Sequence, residues 1–257
     1  MSNWTRHRVS ATPLVFRRVL VLLLAISLFV ASACGDVQEA DVQIDDTPAP
    51  VVPIRILALG DSYTVGEWVG KLENWPVQLV RKLRIEGWPV AEPVAIAATG
   101  WDTGDLTAAI VAADLEGSFD VVTLLIGVNN QFRGGSIEEF EAGLASLTDK
   151  AIGFADGNAD RVLLISIPDW GVTPFAEGAP RAEIAAEIDM FNAAVRDRAR
   201  RAGTGFIDIT GISRRAADEP ELVASDGLHP SGQMYSEWVD LIYPEVIKVV
   251  DSTDKRS

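Results

Sequence analysis

Short apolar runs set between longer helical patterns constrain this chain more than any other feature. From Ile54 onward, residues 54–59 (IRILAL), 94–97 (VAIA), 121–126 (VVTLLI), 162–167 (VLLISI) and 205–209 (GFIDI) read as strands. All but the last run apolar rather than alternating, which is how strands covered on both faces read. Between them the spacing predicts helices near 74–86, 104–115, 137–155, 181–202 and 231–250. In the fourth, Ile184, Ile188, Phe191 and Val195 recur at steps of three and four and leave the charges on the opposite side. Strands alternating with helices imply parallel pairing through right-handed crossovers, hence an α/β chain folded as a three-layer α/β/α sandwich. Open sheets of this kind take their ligands beyond the carboxyl ends of the strands. The residues that follow each apolar run therefore carry the functional information.

The first run is followed by Gly60-Asp61-Ser62-Tyr63-Thr64. A serine at a strand-to-helix turn can expose its hydroxyl while its backbone N–H faces a substrate carbonyl, and the preceding glycine permits the tight backbone. The stretch is not the G-x-S-x-G elbow of α/β-hydrolases, because Thr64 stands where that elbow needs glycine. Asp61, adjacent in chain, suits fixing the turn better than relaying protons. The second run leads to Thr99-Gly100-Trp101-Asp102 and the third to Gly127-Val128-Asn129-Asn130. Glycine and asparagine are common in turns for backbone reasons alone. A glycine N–H and an asparagine amide are also the donor types that stabilise an oxyanion. Near the C-terminus stands Asp226-Gly227-Leu228-His229-Pro230. The sequence has two histidines, His7 and His229, so only His229 can serve the folded part as an imidazole base. Its place three residues after Asp226 lets a compact turn bring a carboxylate to Nδ1 while Nε2 faces a nucleophile.

Taken in order, Gly60-Asp61-Ser62, Gly100, Gly127-Val128-Asn129 and Asp226-Gly227-Leu228-His229 resemble the four signature blocks of the SGNH, or GDSL, hydrolase family. The resemblance spans the folded part, about 54–251, and implies a five-stranded parallel sheet. It implies Ser62 as nucleophile, His229 as base and Asp226 as the acid that orients it. The oxyanion would be held by the N–H groups of Ser62 and Gly100 and by the Asn129 amide. The chain departs from the family at Asn130, where the family usually has aspartate, which bears on how that turn is stabilised. The chemistry implied is acyl transfer through a serine ester, with no metal or cofactor.

Residues 1–33 read as a signal peptide. Arg6, Arg8, Arg17 and Arg18 precede an apolar run of about twelve residues, VLVLLLAISLFV, and then Ala31-Ser32-Ala33-Cys34. That run is short for a membrane span, which needs roughly twenty residues. Ser32-Ala33-Cys34 resembles the bacterial lipobox, in which the cysteine is lipidated, although leucine is usual at Ala31. Cys34 is the only cysteine, so it has no disulfide partner. Ala31-x-Ala33 also fits ordinary signal-peptidase cleavage. Residues 34–53, acidic and then proline-rich, read as a tether. The expected address is the bacterial envelope through a lipid anchor, with a secreted or periplasmic form as the alternative. The net charge of −15 argues against nucleic acid and against docking on anionic lipid, so no membrane contact beyond the anchor is expected.

A small-molecule ester is the expected partner; nothing in the sequence speaks to oligomeric state. Trp101 and Trp170 each follow a strand and are candidates to line the pocket. The loop 169–180, which carries Phe175, is a candidate rim. Trp68, Trp75 and Trp88 read as core or helix-packing residues. Acetylated sugars and short-chain acyl esters are preferred as substrates, with lysophospholipid and thioester open. Two rival readings use the same scaffold: an acyltransferase, and a non-catalytic envelope-binding lipoprotein.

Overall fold

The computed structural model describes residues 52–254; the signal peptide, Cys34 and all but the last residues of the tether lie outside them. In chain order the elements are β1 (Ile56–Gly60), α1 (Ser62–Val65), α2 (Trp75–Ile85), β2 (Val94–Ala97), α3 (Thr103–Ala113), β3 (Val121–Leu125), α4 (Val128–Phe132), α5 (Ile137–Phe154), β4 (Val162–Ile165), α6 (Arg181–Ala202), β5 (Gly205–Ile207), α7 (Thr210–Arg214) and α8 (Gly232–Asp254). The strands form one sheet in the order β2-β1-β3-β4-β5, and every pairing is parallel. Ala58 sits opposite both Ala95 and Thr123, and Leu164 opposite both Leu124 and Phe206. The central strands β1, β3 and β4 are buried along their whole length, which explains why their sequences do not alternate.

The chain moves outward from β1 to β2 and then in the opposite direction through β3, β4 and β5. Right-handed crossovers therefore put α2 on one face and α3, α5 and α6 on the other. The packing agrees: α2 lies against α8, and α5 lies between α3 and α6. This is the expected three-layer sandwich. The reversal of direction falls between β1 and β3, where the loops after the two strands diverge and leave a crevice.

Local signals set the helix boundaries. Asn74 caps α2 by accepting the Val77 N–H, with Pro76 in the first turn. Asp102 accepts from Gly104 and Asp105 while Asp105 reaches back to the Asp102 N–H, a complete capping box for α3. Ser136 caps α5, and Gly203, at φ 73°, ends α6. Trp75 is fully buried and Trp88 packs on the core. Trp68 corrects the sequence reading: it is 63% exposed, on a loop, with φ 62°. β5 is shorter than expected because Asp208 and Ile209 turn away into α7. There the Ile209 N–H donates to Ser166 Oγ and the Thr210 N–H to Asp208 Oδ1.

Candidate active site

The turn between β1 and α1 is built on contacts that leave no room for a larger residue. A Cβ at Gly60 would stand 2.2 Å from Thr64 Oγ1 and 2.6 Å from the Leu125 carbonyl oxygen. Asp61 caps α1, its Oδ1 accepting the Tyr63 N–H at 3.0 Å. Its carboxyl is fully buried and its Oδ2 has no partner among the described residues. Burial pushes the Asp61 carboxyl up to about 7, against the smaller opposing pull of the Tyr63 N–H. Ser62 is the first residue of α1, a position whose N–H has no acceptor within the helix.

Ser62 Oγ lies 3.0 Å from His229 Nε2, and His229 Nδ1 lies 2.5 Å from Asp226 Oδ2. A carboxylate can only accept, so Nδ1 carries the proton and Nε2 is left to accept from the Ser62 hydroxyl. Asp226 is fixed in turn by the N–H groups of Leu228 and His229, both at 3.1 Å to Oδ1. Partial burial raises its pKa, but the His229 hydrogen bond and those two N–H groups outweigh burial and hold the carboxyl below its ordinary value. Tyr63 packs its ring 5.3 Å from the imidazole. The turn ends where Ser231 caps α8 through the Met234 N–H. The three residues come from two ends of the chain, 167 positions apart for Ser62 and His229. Such a constellation lets a hydroxyl lose its proton as it attacks a carbonyl.

Ser62 and His229 line a cavity of about 150 Å³ at the crevice between β1 and β3, together with Gly100 and Asn129. Gly100 holds φ 82°, the left-handed region that favours glycine. Asn129 Nδ2 donates one hydrogen to the Trp101 carbonyl at 2.9 Å, which leaves its second hydrogen available. Trp170 is also part of the lining, with its Nε1–H donated to Gln131 Oε1 at 2.7 Å. Trp101 departs from expectation: it does not line the cavity, and its ring packs half-buried against the core. Its carbonyl accepts from Asn129 Nδ2. Asn130 accepts the Thr103 N–H and donates to Thr103 Oγ1, so the amide ties the turn to α3 where the family pattern has aspartate.

Three neighbours in α4 and just after it were not singled out from the sequence. Arg133 donates to the Gly100 carbonyl at 2.6 Å and to Asp102 Oδ2 at 2.8 Å, fixing the peptide that follows Gly100. Gln131 links Trp170 to Glu187 of α6. Phe132 forms part of the cavity wall. Helical spacing points to two of them, since Phe132 and Arg133 stand three and four residues after Asn129; Gln131, two after it, carries no such signal.

A lipase of Mycobacterium tuberculosis described as GDSL lipase Rv0518 is 28% identical over 201 residues, covering 74% of this chain and 80% of that protein. Among solved structures, that of TesA superposes with a TM-score of 0.61 at 20% identity, over 76% of this chain and 99% of that one. Axe2, an acetylxylan esterase from Geobacillus stearothermophilus, superposes with a TM-score of 0.57 at 20% identity, over 75% of this chain and 94% of that one. At those identities the two structures speak to the shared fold. Residues 58–236, which carry Ser62, Gly100, Asn129, Asp226 and His229, match the GDSL-like Lipase/Acylhydrolase family, and the chain belongs to that family of serine hydrolases acting on ester bonds.

Proposed function

We propose that the protein is an exported esterase that cleaves carboxylic esters of small acyl groups through an ester of Ser62. The observation that carries this reading is the continuous line of hydrogen bonds from Ser62 Oγ to His229 to Asp226 on the wall of one cavity. Ser62 Oγ attacks the ester carbonyl as His229 Nε2 takes its proton. Asp226 keeps the ring oriented and balances the imidazolium charge. The carbonyl oxygen, now negative, sits against the N–H groups of Ser62 and Gly100 and the free amide hydrogen of Asn129. When the intermediate collapses, the C–O bond to the alcohol breaks and His229 protonates the departing oxygen. Water then repeats the sequence: His229 takes its proton, the hydroxide adds to the acyl carbon, and Ser62 regains its proton as the acid leaves.

Esters of small acyl groups are the substrates we assign to this site. The test is hydrolysis of p-nitrophenyl acetate and butyrate by wild type, Ser62→Ala and His229→Ala, with circular dichroism to confirm folding. Loss of turnover by at least about 10³-fold in both folded variants is expected. A folded Ser62→Ala protein that keeps wild-type turnover contradicts the reading.

Export and anchoring rest on the leader. Four arginines, an apolar run and Ser32-Ala33-Cys34 support cleavage before Cys34 and its lipidation. The intact mass of the processed protein is expected to begin at Cys34 and to exceed the polypeptide mass by an acyl-glycerol modification. An unmodified Cys34 terminus removes the anchor from the proposal.

A further inference from the structure

Phe132 and Phe175 stand 52% and 51% exposed, an unusual state for phenylalanine, and both face the cavity that Ser62 and His229 line. Together with Trp170 they form a closed set of ring contacts. Phe132 meets Trp170 edge-on at 5.2 Å, and Phe175 lies 6.1 Å from each of the other two. We infer that these three rings are the acyl-selecting wall of the site, and that its substrates carry unbranched, uncharged acyl chains of about four to six carbons. The inference rests on the esterase reading above and narrows it away from acetylated sugars.

Four observations carry it. The lining beyond the reacting groups is dominated by apolar side chains, Val128 and Leu228 besides the three rings, and contains no carboxylate, lysine or arginine. Thr99 and Tyr63 complete the lining, so the wall offers apolar contact and no charge to an acyl chain. The size is small: about 150 Å³ is shared by the reacting ester group and its acyl chain, which suits a short chain. The wall also lies on the acyl side of the ester. We place it there because Phe132 follows Asn129 by three residues on α4 and so stands beside the oxyanion donor. The leaving oxygen must point the other way, to His229 Nε2, which protonates it.

Finally, the wall is fastened rather than loose. Trp170 is locked through Gln131 to Glu187. The Phe175 N–H donates to the Gly227 carbonyl at 2.9 Å, inside the turn that carries Asp226 and His229. A Cβ at Gly227 would come within 3.3 Å of Pro174. The ring that reads the acyl chain and the turn that carries acid and base are thereby held in one register.

The experiment uses the full chain and p-nitrophenyl esters from acetate to decanoate, in wild type, Phe132→Ala and Phe175→Ala, with Phe175→Leu as the conservative control. For wild type, kcat/KM is expected to rise by up to about fourfold per methylene from acetate to hexanoate and then to stop rising. In either alanine variant the hexanoate-to-acetate ratio of kcat/KM falls about tenfold, and the leucine variant restores most of the ratio. The isomers ethyl hexanoate and hexyl acetate then separate the two sides of the ester, and ethyl hexanoate is expected to be the faster. A wild-type profile that declines from acetate onward overturns the inference, as does a ratio unchanged in both alanine variants, or hexyl acetate as the better isomer. In those cases acetate hydrolysis and labelling of Ser62 by a fluorophosphonate persist, so the esterase reading survives. Absence of labelling and of all turnover removes both.

Discussion

Arg133 holds the Gly100 carbonyl and pairs with Asp102, so it is expected to act on catalysis as a positioning residue, through the Gly100 peptide. Arg133→Ala is expected to lower kcat about tenfold with KM within twofold, and Arg133→Lys to recover part of the loss, because an ammonium can donate to the same carbonyl but not also fork to Asp102. Equal losses in kcat and thermal stability, unrelieved by lysine, would mark a merely structural role. Asn129→Ala removes an oxyanion donor outright, and a loss of about 10²–10³ in kcat is expected in steady-state assays. Asp61 makes a separate prediction about stability. Its carboxyl ionises at about 7 in the fold against an ordinary 3.8. Between those values the folded state holds a proton that the unfolded chain has lost, so stability falls as pH rises and levels off above about 7. Asp61→Asn keeps an acceptor for the Tyr63 N–H and carries no charge. Its thermal midpoint should therefore gain on wild type steadily from pH 4 to pH 7, and a pH-independent difference would contradict a raised Asp61 carboxyl. Ser62, Gly100 and Asn129 were legible in the sequence because they follow the apolar runs that define the fold, and Asp226 and His229 because of their three-residue spacing and the scarcity of histidine. Arg133 and Gln131 were not, since their partners lie about thirty and forty residues away across the crevice.

The long helices and the strands were read within a few residues, because each has a hydrophobic period or run that its burial requires. The shorter elements α1, α4 and α7, of four or five residues, are too brief to show a period, and turn geometry defines them instead. Two of them, α1 and α4, carry Ser62 and Asn129. Trp68 shows the limit from the other direction: an aromatic residue in a segment of mixed character reads as core, yet the chain holds it exposed at φ 62°. The β1–α1 turn is the element least tolerant of change. Gly60→Ala places a methyl group against the Leu125 backbone, which cannot yield without parting β1 from β3. A loss of several kcal/mol is expected in urea unfolding, enough to threaten folding altogether. A variant as stable as wild type contradicts the packing described for this turn.

The sheet order places the crevice between β1 and β3 without help from any one side chain, and the alternation of strands with helices announced the layers that create it. What the alternation could not give was which side chains meet in the crevice, because the aromatic wall joins α4 to a loop some forty residues further on. The whole molecule also carries a net charge of −15, which acts on any charged ester before binding. Turnover of a neutral short-chain ester is expected to change little between 20 and 300 mM salt, taken as roughly the range over which screening sets in. An ester with a carboxylate on its alcohol should gain kcat/KM as screening weakens the repulsion; equal salt responses would show that the site is insulated from the surface charge. The central claim is the ester of Ser62, and the direct measurement is the mass of the intact protein and of its peptides after a fluorophosphonate probe. One adduct per chain, on the Ser62 peptide and absent from His229→Ala, is the result predicted. A folded protein that takes up no probe, or takes it up on another residue, contradicts it.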